Sequence, residues 1–301
     1  MKFIFSQKYF ADIGIHVFPT KKYIIVHQKL IAEGIITEQN ILTPEPSSVD
    51  DLLLVHEQRY IDDLLNLRWT PSIMRSELPI SQAIVDAYLL ATGGTILAAR
   101  KALEDGIAVN LSGGFHHAFA DHAEGFCYTN DIAIAIRCLQ HEGAIQKAAV
   151  VDCDVHQGNG TAYIFQNDTS VFTFSIHQEY NYPIKQRSDI DIGLDDGTDD
   201  KTYLRHIQQA MPRILNEFQP DFILYVAGAD PYEEDQLGGL SLSIDGLKQR
   251  DSFIISQCMA HQVPTAIVLA GGYAFNTEDT VEIHCNTCEV ALECVENQTS
   301  H

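Results

Sequence analysis

Ala148-Ala-Val-Val-Asp-Cys-Asp-Val-His156 runs without a break from an apolar stretch into carboxylate and imidazole side chains. The apolar part is too short for a core helix and has no polar alternation, so it reads as a strand buried on both faces. Four further runs repeat the pattern. Ile107-Leu111 precedes Gly113-Gly-Phe-His-His117, and Val171-Ile176 precedes His177. Phe222-Val226 precedes Gly228-Ala-Asp230, and Thr265-Leu269 precedes Gly271-Gly-Tyr273. Read as parallel strands, the five runs carry His, Asp and Tyr to one edge of a sheet, where open α/β folds bind ligands.

Helical spacing fills the intervals. Apolar residues recur at helical period over Lys21 to Glu33, Tyr60 to Leu65, Ile80 to Glu104, Asp131 to Gln140, Gly160 to Phe165, Tyr203 to Phe218 and Ile244 to Met259. Gly93-Gly94 within the longest of these lowers helix stability and points to close packing on another backbone. Phe3-Ile-Phe5 and Leu52-Leu-Leu-Val55 read as further strands, and Trp69 to Pro79 as irregular. Alternating strands and helices predict an α/β fold with a parallel sheet covered on both faces. No linker or repeat divides residues 1–301, so one domain is expected, with a peripheral tail after about residue 285.

The carboxylate-rich stretch Asp189 to Asp200 lacks the glycine and closing glutamate of a calcium loop and is expected to be a solvated loop. Seven cysteines, an odd number thinly spread, imply reduced thiols. Cys285-Asn-Thr-Cys288, with His284 before it and Cys294 after it, lacks a second pair, so ordinary tail cysteines are favoured over a structural zinc. The start of the chain breaks its apolar stretch too early for a signal peptide, and no run reads as the roughly 18 apolar residues of a membrane span. A soluble cytoplasmic protein with no membrane partner is expected. With 19 Lys and Arg against 41 Asp and Glu, the formal charge of -22 opposes direct nucleic-acid binding and favours cationic substrates.

Asp154 and His156, two residues apart, face one side of an extended strand end, and Asp230 arrives from another strand tip. Two carboxylates and one imidazole leave an open position on a tetrahedral metal, as catalysis requires. An isolated Asp-x-His would be read as a turn or cap; Asp230 shifts that balance. His116 and His117 are adjacent behind two glycines and suit acid-base chemistry near neutral pH. Asp152 and Asn159 flank the cluster and are placed to orient the two rings. Tyr273 offers a phenol to a developing oxyanion.

Taken with Gly125-Phe-Cys-Tyr-Thr-Asn-Asp131 and Asp152-x-Asp-x-His-Gln-Gly-Asn-Gly160, these clusters resemble the ordered motifs of zinc-dependent histone deacetylases and their bacterial relatives. His16-x-Phe-Pro-x-x-Lys-Tyr23, Leu237-Gly-Gly-Leu-Ser-Leu-Ser243 and Lys248-Gln-Arg-Asp251 are most similar to the class IV branch. The resemblance implies the arginase/deacetylase fold with a central eight-stranded parallel sheet. It implies zinc, or ferrous iron, on Asp154, His156 and Asp230, with His117 as general base, His116 as its electrostatic partner and later proton donor, and Tyr273 polarising the amide carbonyl. Gly125, Phe126 and Leu237 would line an acyl-lysine tunnel. Asp152, Asp154, His156, Ser175 and Ile176 would hold a structural potassium ion. Asn159 stands where many class I members have Asp, which makes His117 less basic. The class I rim carboxylate has no evident counterpart in Trp69 to Pro79.

The expected substrates are acyl-lysine proteins or peptides, acetyl or longer, with acetylated polyamines or other small amines as the alternative. A two-metal arginase-like enzyme is less favoured because Ala227-Gly-Ala-Asp230 is followed by Pro231 and offers one carboxylate. A silent acyl-lysine binding module would not need Tyr273 and both histidines.

Overall fold

Eight strands form one sheet in which every neighbouring pair is parallel. The computed structural model describes residues 1–299. In chain order the elements are β1 (Lys2–Ile4), α1 (Lys22–Ala32), β2 (Ile41–Leu42), α2 (Val49–Leu53), α3 (Gln58–Leu65), α4 (Pro71–Met74) and α5 (Gln82–Asp105). They continue with β3 (Ile107–Asn110), α6 (Asp131–His141), β4 (Ala148–Asp152), α7 (Asn159–Phe165), β5 (Val171–Gln178) and β6 (Ile190–Leu194). α8 (Asp200–Pro212), β7 (Phe222–Val226), α9 (Ile244–Ala260), β8 (Thr265–Val268) and α10 (Thr277–Thr299) follow. The strand order across the sheet is β2-β1-β3-β8-β7-β4-β5-β6.

All residues of β3, β4, β7 and β8 are buried, which is why these strands carry continuous apolar runs. α5 packs across this core. A Cβ on Gly93 would overlap the carbonyl oxygen of Glu45, and one on Gly94 would overlap the Tyr9 hydroxyl, so both glycines are required by close approach. By length and composition α5 is apolar enough to cross a membrane, contrary to the sequence reading, but it is mostly buried within the protein. Burial among neighbouring elements accounts for its apolarity.

Four segments differ from expectation. Trp69 to Pro79 is not wholly irregular, since Pro71–Met74 forms the short helix α4 with proline in its first turn. Leu52 to Val55 is not a strand: Ser48 caps α2, its hydroxyl accepting from Asp51 N at 3.1 Å while Asp51 returns a carboxylate to Ser48 N at 2.9 Å. This reciprocal cap starts a helix that local apolarity alone would assign to a sheet. Within Asp189 to Asp200, Ile190–Leu194 is the edge strand β6, with Ile190, Ile192 and Leu194 less exposed than the residues between them. Its period-two alternation was hidden among carboxylates. Beyond residue 285 the chain is not peripheral, since Cys285, Cys288, Val290 and Ala291 are buried as α10 packs on α9 and α1. Those two cysteines therefore serve the core, and among the described residues the group placed to hold a metal lies elsewhere.

Candidate active site at the carboxyl edge of the sheet

The loops after β3, β4, β7 and β8 meet at one edge. Asp131, at the start of α6, shapes the first of them by accepting from Gly114 N at 3.0 Å and Phe115 N at 2.7 Å. This turns His116 and His117 inward. Fully buried Arg250 ties the next two loops together, donating to Cys153 O at 3.3 Å and Gly228 O at 2.7 Å. Asp235 fixes the last, accepting from Tyr273 N at 2.7 Å and from Leu237 N at 2.8 Å.

Asp154, His156 and Asp230 are buried and converge, with ligand-type atoms all within 4.8 Å of one another. His156 Nδ1 lies 3.2 Å from Asp154 Oδ1 and 3.5 Å from Asp230 Oδ2. Backbone N–H groups occupy the other carboxylate oxygens: Val155 N donates to Asp230 Oδ1 at 2.8 Å and Gly271 N to Asp154 Oδ2 at 3.0 Å. Asp230 Oδ2 is left buried with no hydrogen-bond donor. Burial, then the Asp154 charge, pushes Asp230 up to about 7. An orphaned oxygen and crowded carboxylates are what a cation would relieve, and this donor set fits zinc or ferrous iron.

The adjacent histidines differ in environment. His116 Nδ1 is 2.7 Å from Asp152 Oδ2, and although burial opposes charge, Asp152 and Asp154 raise its pKa to about 9. His117 Nδ1 is 2.8 Å from Asn159 Oδ1, and burial, then the His116 and His156 charges, lowers its pKa well below the usual value. The two Nε2 atoms are 3.1 Å apart. Near neutrality one ring is an imidazolium and its neighbour a free base.

Above them opens a cavity of about 250 Å³ lined by His117, Gly125, Phe126, His156, Leu237 and Tyr273, together with Glu77, Asn181 and Tyr182. Gly125 has φ +49°, and a Cβ there would stand 2.6 Å from His117 Cδ2 and 2.8 Å from the Tyr182 hydroxyl, so only glycine lets the wall close on the base. Phe126 is backed by Phe18 at 6.0 Å and His16 at 4.8 Å between ring centroids. A smaller chamber of about 30 Å³ shares five of these residues and is also lined by Asp154, Gly114 and His116. Burial pushes the Tyr273 phenol further up, keeping it protonated.

The residues named from sequence thus gather around one cavity, except for part of the potassium set. Ser175 lies beside Asp152 in the β4–β5 register, with Ile176 next in β5, and its hydroxyl is 2.9 Å from His177 Nδ1. Sequence reading missed Glu77, which brings a carboxylate to the cavity wall from within Trp69 to Pro79, where none was expected. Its φ of +60° is an unusual backbone state for a glutamate. Asn181 and Tyr182 also went unseen because no motif surrounds them, and Glu124 because it lies one residue outside the Gly125 to Asp131 motif.

The histidine, aspartate and tyrosine positions all fall within a match to the histone deacetylase domain over residues 16–288. The chain belongs to the histone deacetylase family. It is 44% identical over 271 residues to an uncharacterized protein of Picosynechococcus sp., covering 89% of this chain and 90% of that one. Histone deacetylase 2 of Arabidopsis thaliana is 31% identical over 285 residues, 90% of this chain and 74% of the relative. A probable deacetylase of Archaeoglobus fulgidus is 30% identical over 291 residues, 90% and 80% of the two chains. The crystal structure of the HDA15 HD domain superposes with a TM-score of 0.80 at 21% identity, covering 100% of this chain and 92% of that one. That likeness shows the fold, and the family places the chain among the deacetylase-type hydrolases.

Proposed function

We propose that the protein hydrolyses the side-chain amide of acyl-lysine in proteins or peptides, with acetyl preferred. The observation that carries this reading is the opposite tuning of His116 and His117 beside the Asp154-His156-Asp230 cluster and beneath an apolar cavity. A divalent cation on those three residues would supply Lewis acidity to solvent and to a carbonyl oxygen.

His117 Nε2, with Nδ1 engaged by Asn159, takes the proton from the attacking solvent molecule. His116, held charged by Asp152, stabilises the developing negative charge and gives a proton to the departing amine. Tyr273 donates to the oxyanion from a position fixed by Asp235. Phe126, Tyr182 and Leu237 enclose the neutral aliphatic stem of the substrate. The inner chamber of about 30 Å³ is small beside the outer cavity of about 250 Å³, which supports a short acyl group such as acetyl over the longer chains also considered from sequence.

Glu77 at the wall favours a second reading, since a carboxylate there also suits the distal cation of an acetylated small amine. The acidic excess supports basic peptides or amines as partners and leaves nucleic-acid phosphates unfavoured. Steady-state kinetics on a matrix of peptide sequences, acyl lengths and acetylpolyamines tests the proposal. The expected result is acetyl-lysine turnover that depends more on the acyl group than on peptide sequence and falls as salt rises. A strong preference for acetylpolyamines over every peptide overturns it.

A further inference from the structure

Asn159 holds the base, and something must hold Asn159. An amide can present either end: its oxygen accepts from an imidazole N–H, whereas its NH₂ group donates to an imidazole lone pair. The two orientations select opposite tautomers of a neutral His117. With the oxygen toward His117, the proton sits on Nδ1 and Nε2 is free to act as base. With the NH₂ group toward His117, the proton moves to Nε2, and the atom facing His116 and the cavity can no longer accept. An aspartate at this position would have no donor end and no such ambiguity.

Glu124 resolves it. Its Oε1 lies 2.7 Å from Asn159 Nδ2, and a carboxylate only accepts, so the NH₂ end must face Glu124 and the oxygen must face His117. Glu124 is buried at 8% exposure and held from behind by the guanidinium of Arg75, with His122 Nε2 at 3.6 Å. Its neighbour Gly125 touches His117, so the same turn that closes the wall also delivers the carboxylate.

We propose that Glu124 is a positioning residue, which by accepting from Asn159 Nδ2 fixes the amide orientation and keeps neutral His117 protonated on Nδ1, so that its Nε2 carries the lone pair toward His116 and the cavity. The chain Arg75–Glu124–Asn159–His117 then does with a neutral amide what a carboxylate would do directly. This inference rests on His117 being the base of the proposed hydrolysis.

The test is the substitution Glu124→Gln made in two backgrounds, native and Asn159→Asp. The Arg75 guanidinium claims the single oxygen of the glutamine and leaves its NH₂ group facing Asn159, so in the native background kcat is expected to fall about tenfold or more, part of the roughly 100-fold or greater contribution of a general base, with KM little changed. In the Asn159→Asp background there is no amide to orient, so Glu124→Gln is expected to leave kcat unchanged or to raise it by removing a facing carboxylate. Equal losses in both backgrounds would make Glu124 a structural residue and overturn the proposal. Imidazole ¹⁵N spectra of the zinc-loaded protein, with His117 assigned by loss of its signal in His117→Gln, read the tautomer without reference to turnover. Protonation on Nδ1 in the wild type that shifts toward Nε2 in Glu124→Gln supports the proposal; Nδ1 protonation in both proteins overturns it, and so does protonation on Nε2 of the neutral wild-type ring, even if Glu124→Gln does not fold. Should the wild type cleave no acyl-lysine at all, the functional reading fails while these spectra still decide the role of Glu124.

Discussion

Lys22 Nζ donates to the carbonyl oxygen of Ala270 at 2.6 Å, placing a fully buried ammonium on the backbone three residues before Tyr273. Its nitrogen also lies 5.6 Å from the Tyr273 ring centroid. Burial lowers its pKa to about 8, offset in part by Asp230, Asp154 and Asp235. An unfolded lysine titrates near 10.4. As pH rises from about 8 the native state releases this proton before the unfolded state does, so the group adds stability above the unfolded value and loses it as pH falls through the folded one. Denaturant unfolding of metal-free wild type and Lys22→Met should show the wild type gaining relative stability between pH 8 and 10.4, approaching about 3 kcal/mol. A constant difference across that range would contradict a buried, titrating ammonium.

Metal affinity should rise with pH. In the metal-free protein, Asp154 and Asp230 raise His156 to about 10 despite burial, and Asp230 sits at about 7. Binding must displace both protons, so the logarithm of the affinity should climb about one unit per pH unit above 7 and more steeply below it. Competition with a chromophoric chelator from pH 6 to 8.5 measures this slope. Asp230→Asn and His156→Ala should lose metal and activity together, and full activity in chelated wild type would remove the metal from the mechanism.

Tyr273→Phe should fold and bind substrate normally, because the backbone of residue 273 is anchored through Asp235 and Gln236 and not through the phenol. Loss of one oxyanion donor typically lowers turnover about 100-fold to 1000-fold. Parallel measurement of kcat and inhibitor affinity checks it, an unchanged kcat excluding the phenol from the reaction.

Glu77→Ala should raise KM for peptides roughly tenfold to 100-fold, the size of one hydrogen bond to a charged group, while leaving kcat nearly intact. The carboxylate stands on the cavity wall, away from His116 and Asp154. If acetylpolyamines suffer a much larger loss than peptides, the small-amine reading gains.

Much of this architecture is written locally. Strands buried on both faces must be apolar along their whole length, so β3, β4, β5, β7 and β8 stand out from any single window of sequence. The Asp154-x-His156 pair and the two adjacent histidines are equally local, because their geometry comes from a few consecutive residues. Where a local signal was weak or competed with another, the reading failed. Leu52 to Val55 was apolar enough for a strand, but the Ser48 cap imposed a helix, and the alternation of β6 was lost among aspartates.

The parallel α/β sheet, the edge on which the chemistry lies, and the ligand, base and phenol candidates can all be read from residue order, since each depends on spacing within one element and its following loop. Their surroundings came with folding: Glu77 and Tyr182 on the wall, Lys22 behind Tyr273, and Glu124 behind Asn159. Those residues come from segments distant in the chain or bear no motif, and their roles arise from burial. The tautomer of His117 and the charge of His116 depend on which side chains exclude water and which face them, and that is fixed only when the loops close on one another.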